Sequence, residues 1–194
     1  MPPMSSRSNE RNRLSAEDWE NGALDMIAEE GVGALAVEAL ARRLGVTKGS
    51  FYWHFRTREA LLKAALARWE AHDEQELQSH IVSIGEPRAR LRELFHHVAR
   101  EARPNRVYAA FLQALELPPV AHVMGRVSQR RLDFLNQSYR QAGMNKGEAQ
   151  HRARLAYAAY VGFLQLSLLP DLPRLSQDQF EAYVEHVIST LVPE

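Results

Sequence analysis

The chain has 194 residues, with 24 Lys plus Arg against 24 Asp plus Glu, so it carries no net charge when His is neutral. At 45% hydrophobic and 25% charged residues it has enough apolar content to bury a core, which excludes disorder over most of its length. Without a single cysteine, it cannot be a disulfide scaffold, a thiolate zinc protein, an iron–sulfur protein or a cysteine-nucleophile enzyme, and a reducing, cytoplasmic setting fits.

Residues 1–12 are polar, with Pro2 and Pro3, and read as a flexible arm. No apolar signal segment follows them. Ser15 and Asp18 have capping-box spacing at the start of a first helix. Trp19, Ala23, Met26 and Ile27 then recur at helical spacing up to a stop at Gly31. A second short helix fits Val37 to Leu44, with Leu40, Ala41 and Leu44 inward. Gly45 and Val46 make a tight turn. Thr47 then caps a third helix to about His54, with Phe51 and Phe55 on its apolar side. Thr57 caps a longer fourth helix carrying Leu61, Ala65, Leu66 and Trp69.

Five more helices follow. They are expected from Arg88 to Arg103, from Pro104 to about Glu116, from Pro118 past Leu135, from Glu148 to Leu169, and from Ser176 onward. No stretch of useful length alternates with the period of a strand, so the fold is expected to be all-α, of about nine helices. The longest apolar stretch, Leu155 to Leu169, is too short for a comfortable membrane span and contains Gly162, Gln165 and Ser167. It reads as a buried helix, and no membrane association is expected.

Charge is distributed unevenly. From Glu10 to Glu38 eight acids stand against Arg11 and Arg13. From Ala41 to Arg68, Arg42, Arg43, Lys48, Arg56, Arg58, Lys63 and Arg68 stand against Glu59 alone, a net of six positive charges in one short segment. That basic segment contains the helix, glycine turn and short helix of Val37 to Phe55. In such a motif the second helix can enter a major groove while the first crosses the backbone. Lys48 can reach a guanine edge or a phosphate, and Gly49 lets backbone approach closely. Thr47 and Ser50 offer hydroxyls, Tyr52 and His54 offer donors to phosphate oxygens, and Trp53 offers an apolar face. The pattern alone also fits a plain packing unit with core aromatics and a solvated basic face.

The segment Gly45-Val46-Thr47-Lys48-Gly49-Ser50-Phe51-Tyr52-Trp53-His54-Phe55 resembles the TetR family of transcriptional regulators. So do Ala39-Leu40-Ala41 before it and Arg58-Glu59-Ala60-Leu61-Leu62 after it. The resemblance spans roughly Leu14 to Leu66. It implies a helix-turn-helix DNA-binding domain over residues 13–66, with the motif at about 36–55, and an effector-binding and dimerisation domain over 67–194. It implies a homodimer on a palindromic double-stranded DNA operator, most often a repressor released by a small-molecule effector. Base contacts are assigned to Lys48, Gly49, Ser50 and Trp53, and phosphate contacts to Thr47, Tyr52, His54 and Arg58. One departure is Ala36, where the family usually has a capping Thr. Arg42, or Arg7, Arg11 and Arg13 of the arm, are the expected substitutes as backbone anchors.

In the C-terminal half only the family's architecture is borrowed. The candidate dimer surface combines Tyr157, Val161, Gln165 and Leu168 of the long apolar helix with Phe180, Val184, Val187 and Leu191 of the last. Candidate effector-lining residues are Trp69, Phe95, Val98, Tyr108 and Phe111, followed by Leu112, Leu115, Met124 and Phe134. An aromatic and methionine lining suits an apolar or aromatic small molecule, although residues at helical spacing also fit a core. His96 and His97 are adjacent and point about 100° apart on a helix, and the other histidines lack ligand spacing, so no metal or other cofactor is expected. An enzyme is not expected either, since no HExxH, phosphate loop or paired-carboxylate constellation occurs. The alternatives are a helical adaptor whose basic segment binds protein, or a constitutive DNA-binding protein without an effector.

Overall fold

A computed structural model of the chain describes residues 14–193, with His80 described by its backbone alone. The arm expected at residues 1–12, and Arg7, Arg11 and Arg13 with it, lies outside the described residues. All regular structure among the described residues is helical. The chain divides into two compact units, one ending at Trp69 and the other beginning at Glu70.

The first unit contains α1 (Ala16–Glu30), a 3-10 turn (Val32–Ala34), α2 (Val37–Arg43), α3 (Lys48–Phe51) and the start of α4 (Arg58–Glu76). The Ser15 hydroxyl accepts from the backbone N–H of Asp18, and the Asp18 carboxylate accepts from that of Ser15, which closes the capping box of α1. Trp19, Ile27, Leu35, Leu40, Phe51, Leu61 and Leu66 are fully buried, so all four helices contribute to one core. Trp19 meets Phe51 edge to face at 5.4 Å, which fixes α3 against α1. Gly22 permits the α1–α2 approach, because a Cβ there would lie 2.9 Å from Cδ2 of Leu44 and 3.2 Å from Cδ1 of Leu40.

The turn from α2 to α3 depends on Gly45, at φ 70°. The N–H of Val46 reaches back to the carbonyl of Ala41 at 3.0 Å and that of Gly45 to Arg42 at 3.2 Å, so the last carbonyls of α2 are satisfied. The third helix ends at Phe51, three residues short of the expected His54. Thr47 occupies its N-cap position, but its hydroxyl makes no capping bond. Thr57 does cap α4, accepting from the N–H of Ala60 at 3.1 Å.

The second unit contains the remainder of α4, a single π turn (Leu77–Ile81), α5 (Pro87–Arg100), α6 (Ala102–Leu112), α7 (Pro118–Gln141), α8 (Lys146–Ser167) and α9 (Gln177–Leu191). The break between α5 and α6 falls at Glu101 instead of Arg103. Pro104 does not open α6 but sits in its first turn, where the missing N–H has no intrahelical partner to lose. Likewise Glu148 is not the first residue of α8. Asn145 caps it, and Glu148 closes a capping box from the third position. Ala149, Ala153 and Ala156 form a small-residue stripe on α8, buried with Leu91, Leu135, Tyr139, Ile188 and Leu191. No helix among the described residues is long and apolar enough to cross a membrane.

Candidate nucleic-acid interface

The exposed side of α3 follows from what its core side requires. Phe51 and Phe55 are buried, and their rings lie 5.7 Å apart. One turn of helix cannot bury the intervening residues as well. Tyr52 is therefore 56% exposed and Trp53 77% exposed, with His54 half-buried against Phe55. Thr47, Lys48 and Gly49 are exposed and Ser50 is half-buried. Around Gly49 the surface is open, with only the Thr47 hydroxyl near a notional Cβ, at 3.7 Å.

The basic residues are deployed less uniformly than their count suggests. Arg43 forms a two-pronged pair with Glu29 at 2.7 and 2.6 Å. Arg68 reaches Glu17 at 3.3 Å, Glu20 at 3.4 Å and Asn21 at 2.9 Å. The acidic first helix and the basic segment thus neutralise each other in part. Lys48 Nζ donates to Glu38 at the start of α2. Hydrogen bonding to that carboxylate holds the lysine above its ordinary pKa, and the same bond holds Glu38 below the usual carboxylate range.

Arg58, assigned to phosphate by the resemblance, is turned toward its own backbone. Its Nε donates to the carbonyl of Leu35 and its Nη2 to that of Val32 at 2.9 Å. These carbonyls flank the entry to α2, whose N-cap residue Ala36 provides no side-chain bond. Arg58 therefore ties down the chain entering the uncapped end of α2. Nothing in the local sequence signals the Arg58 bonds, which span 23 and 26 residues.

In the second unit, the residues expected to line an effector pocket differ in their exposure. Tyr108, Phe111 and Met124 are buried core residues, Leu115 is exposed, and Phe95, Val98 and Leu112 are half-buried. Trp69 belongs to the first unit. Phe134 alone of the nine borders a groove of about 500 Å³, lined also by Leu77, Gln78, Arg126, Gln129, Arg130, Asp133 and Gln137. Beside that groove Arg126 grips Glu70 at 3.0 and 2.5 Å. Tyr108 instead joins a polar cluster that helical spacing did not reveal. Its hydroxyl bonds that of Tyr157, which also donates to Ser128 at 2.8 Å, and the Arg131 guanidinium lies 4.5 Å from its ring. Arg131 in turn donates to Asp73. Burial pushes the Tyr108 phenol far above its usual pKa.

Of the residues expected on the dimer surface, Tyr157 is half-buried, with its hydroxyl held by these partners, and Leu191 is buried in the core at the end of α9. Val184 and Val187 pack partly on that core, Val161 and Phe180 are half-buried, and Gln165 and Leu168 are exposed. Leu155, Leu166, Leu169, Leu172 and Leu175 are exposed apolar residues as well. His96 faces Glu185 at 3.6 Å and His97 faces Glu76 at 3.9 Å. Among the described residues no three His, Asp or Glu side chains gather to hold a metal ion.

The sequence profile of the bacterial regulatory proteins of the tetR family matches residues 21–65. The chain is 52% identical over 42 residues to the class A tetracycline repressor protein from transposon 1721 of Escherichia coli, covering 22% of this chain and 19% of that protein. It is 29% identical over 115 residues to the transcriptional regulator BetI of Pectobacterium carotovorum, covering 56% of this chain and 59% of that one. It thus spans less than two thirds of these curated relatives. In fold it is similar to a transcriptional regulator from Rhodococcus sp. Rha1, with a TM-score of 0.75, 24% identity and coverage of 92% and 96% of the two chains. A transcriptional regulator from Saccharomonospora viridis, solved in complex with choline, gives a TM-score of 0.77 at 17% identity, with coverage of 92% and 97%. Residues 21–65, around α3, are thus similar to the tetR family of bacterial regulatory proteins, and the chain shares its fold along almost its whole length with solved transcriptional regulators.

Proposed function

We propose that the chain is a sequence-specific DNA-binding regulator, a repressor that leaves a palindromic operator when a small molecule binds. The observation that carries this reading is the outward display of Tyr52 and Trp53 on a helix whose flanking Phe51 and Phe55 anchor it to the core. Large rings left in water beside Lys48 and the open backbone of Gly49 suit a groove and its phosphates. Thr47, Ser50 and His54 complete the contact surface, while Arg58 acts by bracing the entry to α2.

Two copies would pair through α8 and α9. Leu155, Ala159, Gly162, Leu166 and Leu169 follow one another at alternating spacings of four and three along α8 and its C-terminal edge, and the three leucines are exposed. A two-fold dimer would match a two-fold operator. The groove beside Phe134 offers an effector more room than the packed Tyr108, Phe111 and Met124 do, and the Saccharomonospora relative holds a small molecule, choline.

The test is fluorescence anisotropy of the purified chain with duplexes from the DNA upstream of its own gene. Tight binding with a steep salt dependence, weakened in folded Lys48→Ala and Tyr52→Ala variants, supports the reading. Equal, weak binding to every duplex, unaffected by either substitution, refutes it. Binding that no small molecule in a screened panel releases would leave a constitutive DNA-binding protein.

A further inference from the structure

Glu38 is an acid that meets the α3 surface directly, through Lys48, and its position needs a reason. It lies in the first turn of α2, ten residues before Lys48, and Lys48 Nζ donates to its Oε1. The two side chains are 60% and 49% exposed, and a pair this open contributes little to stability. Its effect is geometric. The carboxylate and the ammonium are paired directly. An acceptor therefore sits beside a donor, next to exposed Tyr52 and open Gly49.

The major-groove edge of a G·C pair presents the complementary doublet. Guanine O6 accepts, and beside it cytosine N4 donates. These two atoms are hydrogen-bonded across the base pair, so their separation matches that of a hydrogen-bonded Nζ and Oε1. We propose that Glu38 and Lys48 act as one unit that reads a single G·C pair, with Nζ donating to guanine O6 and N7 and the Glu38 carboxylate accepting from cytosine N4. This rests on the DNA-binding reading above and makes Glu38 a specificity-determining residue. A T·A pair offers a similar O4 and N6 doublet. It also places a methyl where guanine has N7, and sets adenine N7, an acceptor, against the carboxylate. The C·G and A·T orientations reverse donor and acceptor and oppose like partners.

The experiment is enrichment of bound sequences by the full chain from duplexes with a randomised centre, followed by affinities for single-position changes. One G·C position per half-site is expected to be invariant. Inosine·cytosine at that position should bind within about twofold of G·C, because both present the same major-groove edge, whereas T·A should bind about tenfold more weakly or worse. Glu38→Ala should cut the G·C over T·A preference about tenfold at that position alone and raise binding to unrelated duplexes. Glu38→Gln, which keeps the acceptor oxygen and the side-chain shape, should retain part of the preference. Two results overturn the proposal while leaving DNA binding intact. One is unchanged base preferences in both Glu38 variants with affinity raised equally for all duplexes, so that Glu38 is only a counter-charge. The other is an inosine penalty as large as that of T·A. Failure of the wild-type chain to enrich any sequence overturns this proposal and the DNA-binding reading together.

Discussion

Phe51 and Trp53 are two residues apart, and the structure assigns them opposite work. Phe51 is 0% exposed and packs edge to face on Trp19 at 5.4 Å, whereas Trp53 is 77% exposed. Truncating a fully buried phenylalanine costs about 3–5 kcal/mol through lost transfer energy and the cavity left behind. The first unit ends at Trp69, and a domain of that size is typically stable by only about 5 kcal/mol or slightly more. Phe51→Ala should therefore remove most of its stability. Trp53→Ala leaves no cavity, so its unfolding free energy should stay within about 0.5 kcal/mol of the wild type. Its affinity for an enriched duplex should fall by about 1–3 kcal/mol, roughly five- to 150-fold. Urea denaturation followed by circular dichroism gives the first quantity, and fluorescence anisotropy gives the second. A Trp53→Ala midpoint lowered as far as that of Phe51→Ala, or full affinity in a folded Trp53→Ala protein, would refute this division of roles.

Arg58→Met should destabilise the first unit by about 1–2 kcal/mol, because the half-buried carbonyls of Val32 and Leu35 lose their donors, and Arg58→Lys should recover only part of that in urea midpoints. Ala36→Ser should raise the midpoint by an amount equivalent to about 1 kcal/mol, since Ala36 already has extended N-cap geometry at φ −124° and ψ 138° and lacks only the hydroxyl. Glu70 is held below its ordinary pKa of 4.5 by the Arg126 hydrogen bond, against opposing burial and with help from the Arg126 and Arg130 charges. Its contribution is thus complete above the unfolded pKa and lost as pH falls through the lower folded one, so acid should destabilise the wild type more than Glu70→Gln in a thermal melt series run downward from about pH 5.

The parts of the fold that were legible in the sequence are those whose partners are local. Ser15 with Asp18, Thr57 with Ala60, and Ser176 with Gln179 are three apart, so spacing alone identifies the starts of α1, α4 and α9. Phe51 and Phe55 were legible as one face for the same reason, which left Tyr52 and Trp53 outward. Proline misled at one boundary, because Pro104 lies within a first turn that tolerates it. The pairs that define the surface and the second core were not legible. Lys48 with Glu38 is separated by ten residues, and Tyr108 with Tyr157 by 49. On α8, apolar residues occupy more than one face, so periodicity does not say that Tyr157 is half-buried while Leu155 and Leu166 are exposed.

Charge in the first unit is governed by the same distinction between local count and distant pairing. The seven bases between Ala41 and Arg68 suggest seven phosphate contacts. Arg43 and Arg68 are paired with acids of α1, Arg58 is bound to backbone carbonyls, and Lys48 is held by Glu38. Arg42, Arg56 and Lys63 make no hydrogen bond or ion pair among the described residues, so they can meet phosphates without breaking a contact. Each phosphate neutralised contributes about −0.9 to the slope of log affinity against log salt. Arg42→Gln and Arg56→Gln should each reduce the magnitude of that slope by about 0.9 per protein copy bound, with little change in base preference. Arg43→Gln should leave the slope unchanged and lower stability slightly through its lost Glu29 pair. A slope that falls for Arg43→Gln and holds for Arg56→Gln would mean that the α1 pairs open on DNA, and that the free and bound surfaces of this unit differ.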